Sequence, residues 1–389
     1  MNITDQAELW RFEALDTWFF KESRPLEAVG GAQLGSSFPP PARTLIGAVR
    51  TALGDACGVQ WQDYAQREDH PLRALMGSPS DLGPLRFEGP YLLHQGRRLY
   101  PAPLSIMLRE ADEALGQPVA FTHLRPGQRP QACDLGWVRL PRKLDAQLAG
   151  AKPAEGLFLT AAGLQAALQG RAPQATDMLR AKDLFHHEPR LGIAREHQTR
   201  RPQDGLLYQT RHVRPRAETA LGLSLRGLDA QAFAGLPRQG MARVGAEGRL
   251  AAWSRDKAQP LPAVAINGRQ LMLCLLTHAA FERGWLPDGF REVTTELEGR
   301  PWTHWQGELA GKPVRLVSAV TGKPVREGGW NLAEQKPREL RGLVPAGSCY
   351  FLELDSVQDA QQVAREMHGA QWGQETVWGR GLVAVGSWS

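Results

Sequence analysis

Seven arginines fall within residues 190–216, RLGIAREHQTRRPQDGLLYQTRHVRPR, against only Glu196 and Asp204. The 389-residue chain carries 46 basic and 41 acidic residues, a net charge of +5, and removing this window leaves 39 of each sign. The basic excess therefore sits in one place. Its pattern is not that of a tail. Leu206, Leu207 and Tyr208 stand between the arginines, and Gly192 and Gly205 supply turn freedom. The window reads as two short strands, 190–195 and 206–213, joined by a polar loop. An arginine-rich hairpin with an aromatic in it suits an RNA backbone with bases to stack. A solvated basic hairpin with no ligand fits the charge equally well.

The chain is too long for one ordinary core, so two domains are expected. The longest apolar run, 271–276, is far short of a membrane span, and the opening MNITDQAELW lacks the order of a signal peptide. The expectation is a cytoplasmic protein with no membrane partner. Cys57, Cys133, Cys274 and Cys349 are too far apart in sequence for a zinc ribbon. A pI near 9.2 weakly favours an acidic partner.

Along the chain, 10–20 reads as a first strand containing Asp16. Residues 42–53 read as a helix, with Leu45, Ile46, Val49 and Leu53 on one face and Arg43 and Arg50 at its border. A hairpin is expected around Gln95 and Gly96. Residues 109–155 have no clear reading and are treated as an insertion. A strand at 157–159 and helices at 161–168 and 175–185 lead into the arginine-rich window. The second half reads as strand 244–253, helix 269–283, strands 314–320 and 348–354, helix 356–367 capped by Asp355 or Ser356, and strand 382–385. This β-α-β-β-α-β order is ferredoxin-like. The first half can be read the same way with insertions. The expected fold is α+β, with two tandem ferredoxin-like (RRM-like) domains over 1–240 and 241–389.

The terminus around Gly379, Arg380, Gly381 and Gly386 would let backbone approach a phosphate, although a plain turn fits as well. The basic loop 321–330 places Lys323 and Arg326 near Trp330, which either stacks a base or anchors the loop. No phosphate loop, nucleophile elbow or HExxH motif is present, and no metal or cofactor site is expected.

Several blocks together resemble one family. They are DTWFF at 16–20, FPPPARTLIGAVR at 38–50, RLGIAR at 190–195 with GLLY at 205–208, VGAEGR at 244–249, GGWNL at 328–332, PAGSCYF at 345–351 and the glycine-rich terminus. The chain resembles the subunit-three family of the type III-B CRISPR-Cas effector, the Cmr complex, within the repeat-associated RNA-binding (RAMP) superfamily. The resemblance implies a non-catalytic subunit of tandem ferredoxin-like domains. It would cradle the 5′ tag of the CRISPR RNA and join the large polymerase-like subunit to the backbone RAMP subunits. It implies RNA contacts at Arg43, Arg50, Arg195, Tyr208, Arg249 and Arg380. The adjoining His197, Arg211, Arg214, Lys323, Arg326, Trp330, Gly379 and Gly381 complete the expected RNA-binding set.

Two other readings remain open. One is a metal-independent processing ribonuclease of the same superfamily, with His197 or His212 as acid or base. The other is an interaction module docking on an acidic protein. If RNA lies against the terminus, Gly381→Ala is expected to lower affinity with melting nearly unchanged. Arg380→Ala is expected to weaken binding without destabilising the fold.

Overall fold

In the computed structural model, residues 7–22, 33–78, 80–111, 119–195, 201–331 and 335–388 are described, with backbone alone for 194, 195 and 202–207. The fold is α+β and dominated by antiparallel sheets.

The first sheet begins with β1 (Glu8–Ala14), whose Trp10 and Phe12 alternate inward. Helix α1 (Ala42–Ala56) lays Leu45, Ile46, Val49 and Leu53 on that face, as their spacing predicts. Strand β2 (Arg86–His94) turns back at Gln95 and Gly96, both with positive φ, into the short strand Arg97–Arg98. Next comes a long hairpin of β3 (Phe185–Arg195) and β4 (Pro202–Pro215). It matches the expected pair and runs further at both ends. Then follow β5 (Thr219–Arg226), β6 (Gln239–Arg243) and β7 (Leu250–Lys257). The hydrogen-bonded order is β6-β7-β1-β5-β2, and the late strand Trp378–Gly379 adds in parallel beside β2. Thus β7, which pairs with β1 at the other end of the chain, and β6, which pairs with β7, fall mostly within the span 241–389.

The second sheet contains β8 (Gln270–Leu275), β9 (Arg291–Leu297), β10 (Arg300–Leu309), β11 (Lys312–Val320), β12 (Cys349–Glu353) and β13 (Val383–Ser387). Its order is β9-β10-β11-β12-β8-β13. Helix α2 (Val357–Met367), capped by the Ser356 hydroxyl accepting from Asp359 N–H at 3.0 Å, covers one face. The other face is covered by the segments flanking the insertion. Ile106, Leu157, Leu159 and helix Ala161–Leu168 pack on Met272, Cys274, Phe351 and Ala384. Residues 109–155, which had no reading, contribute a four-stranded sheet with Ile106–Arg109 and Ala120–Pro126 at its centre.

Several sequence readings are corrected. Residues 269–283 are not a helix, because β8 is a central strand with apolar neighbours on both faces. A strand buried on both sides shows no alternation, and its run of hydrophobic residues mimics a buried helix. The span 175–185 is a single turn of 3₁₀ helix, a short strand and one helical turn. The expected strand at 244–253 starts only at Leu250, because Gly245 and Glu247 with positive φ turn the chain first. The first strand stops at Ala14, and Trp18 then bridges Val213 on β4. That departure carries Asp16 to the arginine hairpin.

Candidate nucleic-acid interface

Alternation along the hairpin sorts its arginines. In register, Glu188 opposes His212 and Arg190 opposes Thr210, so these residues share a face with Arg214 and Tyr208. Pro189 opposes Arg211, which places Arg211 on the other face with Leu191 and Ile193, all exposed.

On the first face Arg190 and Arg214, joined by Arg249, converge on Glu188 of the hairpin and on carboxylates from other parts of the chain. Asp16 accepts from Arg190 at 2.9 Å, Arg214 at 2.8 Å and Arg249 at 3.3 Å. Glu188 accepts from Arg190 at 2.7 Å and Arg214 at 2.5 Å, and Arg249 also reaches Glu247 at 3.3 Å. Three arginines thus meet three carboxylates, and the local excess of charge cancels on this face. Arg190, followed by Arg214, holds the Asp16 carboxyl at a pKa of about 2, against an ordinary 3.8. A depressed carboxylate pKa stabilises the fold above its unfolded value, and that contribution is lost as pH falls from 3.8 through about 2. The Asp16 side chain is 47% exposed, so solvent screening keeps the effect small. Asp16→Asn should therefore cost less than about 1 kcal/mol at neutral pH and flatten the acid limb of a stability–pH curve.

His212 is fully buried beneath this network. It stacks on Phe19 at 5.0 Å, and its Nδ1 lies 3.1 Å from Thr17 Oγ1. Its Nε2 is 3.2 Å from Glu247 but not aligned for a hydrogen bond. Burial and the nearby Arg249 push its pKa down. Tyr208 lies flat over Gly192, where a β-carbon would overlap its ring, so one ring face is packed against its own sheet. The side chain of Arg195 and all of His197 lie outside the described atoms.

A second charged cluster joins the two sheets. Arg380, 6% exposed, pairs with Glu327 and Glu375. Arg43 donates to Glu375 at 3.2 Å and lies 3.7 Å above the Trp378 ring, and burial lowers its pKa. Glu327 and Glu375 were missed in the sequence, where no local pattern marks them as partners of Arg380. Gly379 and Gly381 have φ of +85° and +72° and press against the protein's own backbone at Gly89 and Trp372. Arg50 is used internally, donating to Tyr64 Oη at 2.8 Å and Ser78 O at 2.7 Å. Lys323 and Arg326 are exposed, and so is Trp330 at 54%, which therefore does not anchor its loop. Apart from Arg195 and His197, the expected RNA-binding positions thus divide among the hairpin and its charged network, a junction cluster, an exposed loop and the internally bonded Arg50.

No helix among the described residues is long and apolar enough to cross a membrane. None of the curated proteins matches the sequence at a significant level. Among solved structures, a chain from a type III-B Cmr-beta complex bound to cognate target RNA and AMPPnP is similar at 12% identity. The match covers 89% of this chain and 86% of that one, with a TM-score of 0.46. A chain from a Csm1–Csm4 cassette in complex with AMPPNP is similar at 13% identity, over 90% and 99% of the two chains, with a TM-score of 0.35. The profile of the family described as CRISPR-associated protein (Cas_Cmr3) matches residues 10–388. With that match running nearly from end to end, the chain belongs to the Cas_Cmr3 family of CRISPR-associated proteins, the family its sequence blocks resemble.

Proposed function

We propose that the chain is a non-catalytic RNA-binding scaffold of a type III-B effector. In this reading it holds the 5′ tag of the CRISPR RNA and links the large polymerase-like subunit to the backbone RAMP subunits. The family match over residues 10–388 carries this reading. Strand order supports it. Taking β1, β2, β5 and β7 as strands one to four of a unit, their sheet order is four-one-three-two, the ferredoxin-like arrangement. The set β8, β11, β12 and β13 has the same order. We therefore place two ferredoxin-like units at 7–257 and 258–388, with Trp378–Gly379 returning to the first sheet.

In each unit α1 or α2 covers one sheet face, and the segments flanking the insertion close the opposite face of the second unit, so that face is not open to base stacking. RNA contact falls instead to the hairpin and the basic loop. The buried His212 favours the scaffold over a ribonuclease, because a general acid or base must reach the ribose hydroxyl.

Arg211 is the test residue, since it is exposed and outside the ion-pair network. Arg211→Ala should weaken tag-RNA binding and make the salt dependence shallower by a slope of about 1, with melting unchanged. The same preparations should leave a repeat-containing RNA intact, with or without divalent metal. An unchanged slope would remove RNA from the hairpin, and reproducible cleavage would replace the scaffold by a nuclease.

A further inference from the structure

A cavity of about 210 Å³ lies where the two sheets meet. Its walls include Pro40 ahead of α1, Leu92 on β2, Leu104, Leu157, Phe158 and Leu276. Glu155 and Gly156 are exposed at its rim, so it opens to solvent on that side. An apolar cavity of about 150 Å³ already takes benzene, whereas drug-sized ligands need about 300 Å³ or more. The space therefore matches a single ring system.

Its polar groups restrict the choice. His278 Nδ1 accepts from Ala346 N–H at 3.0 Å, which leaves the imidazole proton on Nε2. That N–H has no hydrogen-bond partner among the described residues. Burial, helped by Arg380, lowers the His278 pKa to about 4, so the ring is neutral. The Arg380 guanidinium at the same wall is already held by Glu327 and Glu375. The site thus offers largely apolar walls, neutral donors at His278 and the Thr277 hydroxyl, and no uncompensated cation. It suits a flat, uncharged heteroaromatic ring and disfavours a phosphate.

We propose that this cavity takes one unpaired nucleobase of the bound RNA, with His278 Nε2–H donating to an acceptor on the base edge. The proposal rests on the RNA-binding reading and adds to it a base-reading position away from the arginine hairpin.

The test uses the full chain and tag RNAs carrying 2-aminopurine at one position at a time. One position should change its fluorescence on binding and the others should not. Leu104→Trp, which grows a ring into the cavity from a half-buried position, should abolish that change and weaken binding about tenfold. His278→Phe keeps the ring but removes both the Nε2 donor and the Nδ1 acceptor of Ala346 N–H, so, measured at a temperature where its melting curve shows it folded, it should keep the fluorescence change and weaken binding several-fold. Wild-type signal and affinity in Leu104→Trp would overturn the proposal. Should that variant fail to fold, His278→Phe decides alone, and wild-type affinity there would overturn it. Failure of the RNA reading looks different, since the wild type itself would then bind no tag RNA.

Discussion

Gly381→Ala is expected to lower the melting temperature sharply, with no RNA present. At φ +72° an added β-carbon meets the left-handed penalty of about 1–2 kcal/mol. It would also overlap Trp372 O outright and lie 2.9 Å from Trp372 N. The neighbouring backbone is not free to retreat. Trp372 N–H donates to Gly381 O at 2.8 Å, and Gly381 N–H donates to His278 O at 2.9 Å. Relieving the overlap breaks one of these bonds inside the junction between sheets. A total loss of about 3 kcal/mol or more is expected, read by thermal or urea denaturation. This replaces the expectation of unchanged melting, which assumed the glycine faces a ligand. It faces the protein's own chain, so any loss of RNA affinity in this variant would follow the loss of structure. Unchanged melting in Gly381→Ala would contradict the packing described here.

Arg380→Ala should be of similar size for a different reason. The arginine is buried and pairs with Glu327, itself 8% exposed, and with Glu375. Removing one partner of a buried pair leaves a carboxylate without its counter-charge, at a cost of about 3–5 kcal/mol. The sequence suggested that a side chain between two glycines packs against little, and that Arg380→Ala would leave the fold unchanged. The structure corrects this, because those glycines turn Arg380 inward, into the seam between sheets. A second change separates charge from shape. Glu327→Gln on the Arg380→Ala background should recover part of the lost stability, since the orphaned charge is gone. Strictly additive losses in the double variant would show that the pair does not interact as drawn.

Legibility followed the range of the interaction. The stripe Leu45, Ile46, Val49 and Leu53 announced α1, and Ser356 announced the start of α2, because both signals lie within a few residues. Gln95 and Gly96 marked their hairpin for the same reason. The helix expected at 269–283 failed because burial on two faces erases the period that distinguishes strand from helix. For the interface, sequence located the basic hairpin and its two strands but misjudged which charges are free.

Local order and composition thus determined the hairpin, the principal helices, the concentration of arginine in one window and, through blocks spread along the chain, the family. Tertiary structure alone decided that Asp16, with Glu188 and Glu247, neutralises Arg190, Arg214 and Arg249, and that Arg211 is left exposed on the opposite face. It also decided that Gly379 and Gly381 serve close packing between sheets. The physical reason is distance along the chain. Asp16 and Arg249 are 233 residues apart, and Glu327 and Arg380 are 53 apart. A charge counted in a window has no sign of its own in the folded state until its neighbours in space are known, and only the two sheets bring those neighbours together.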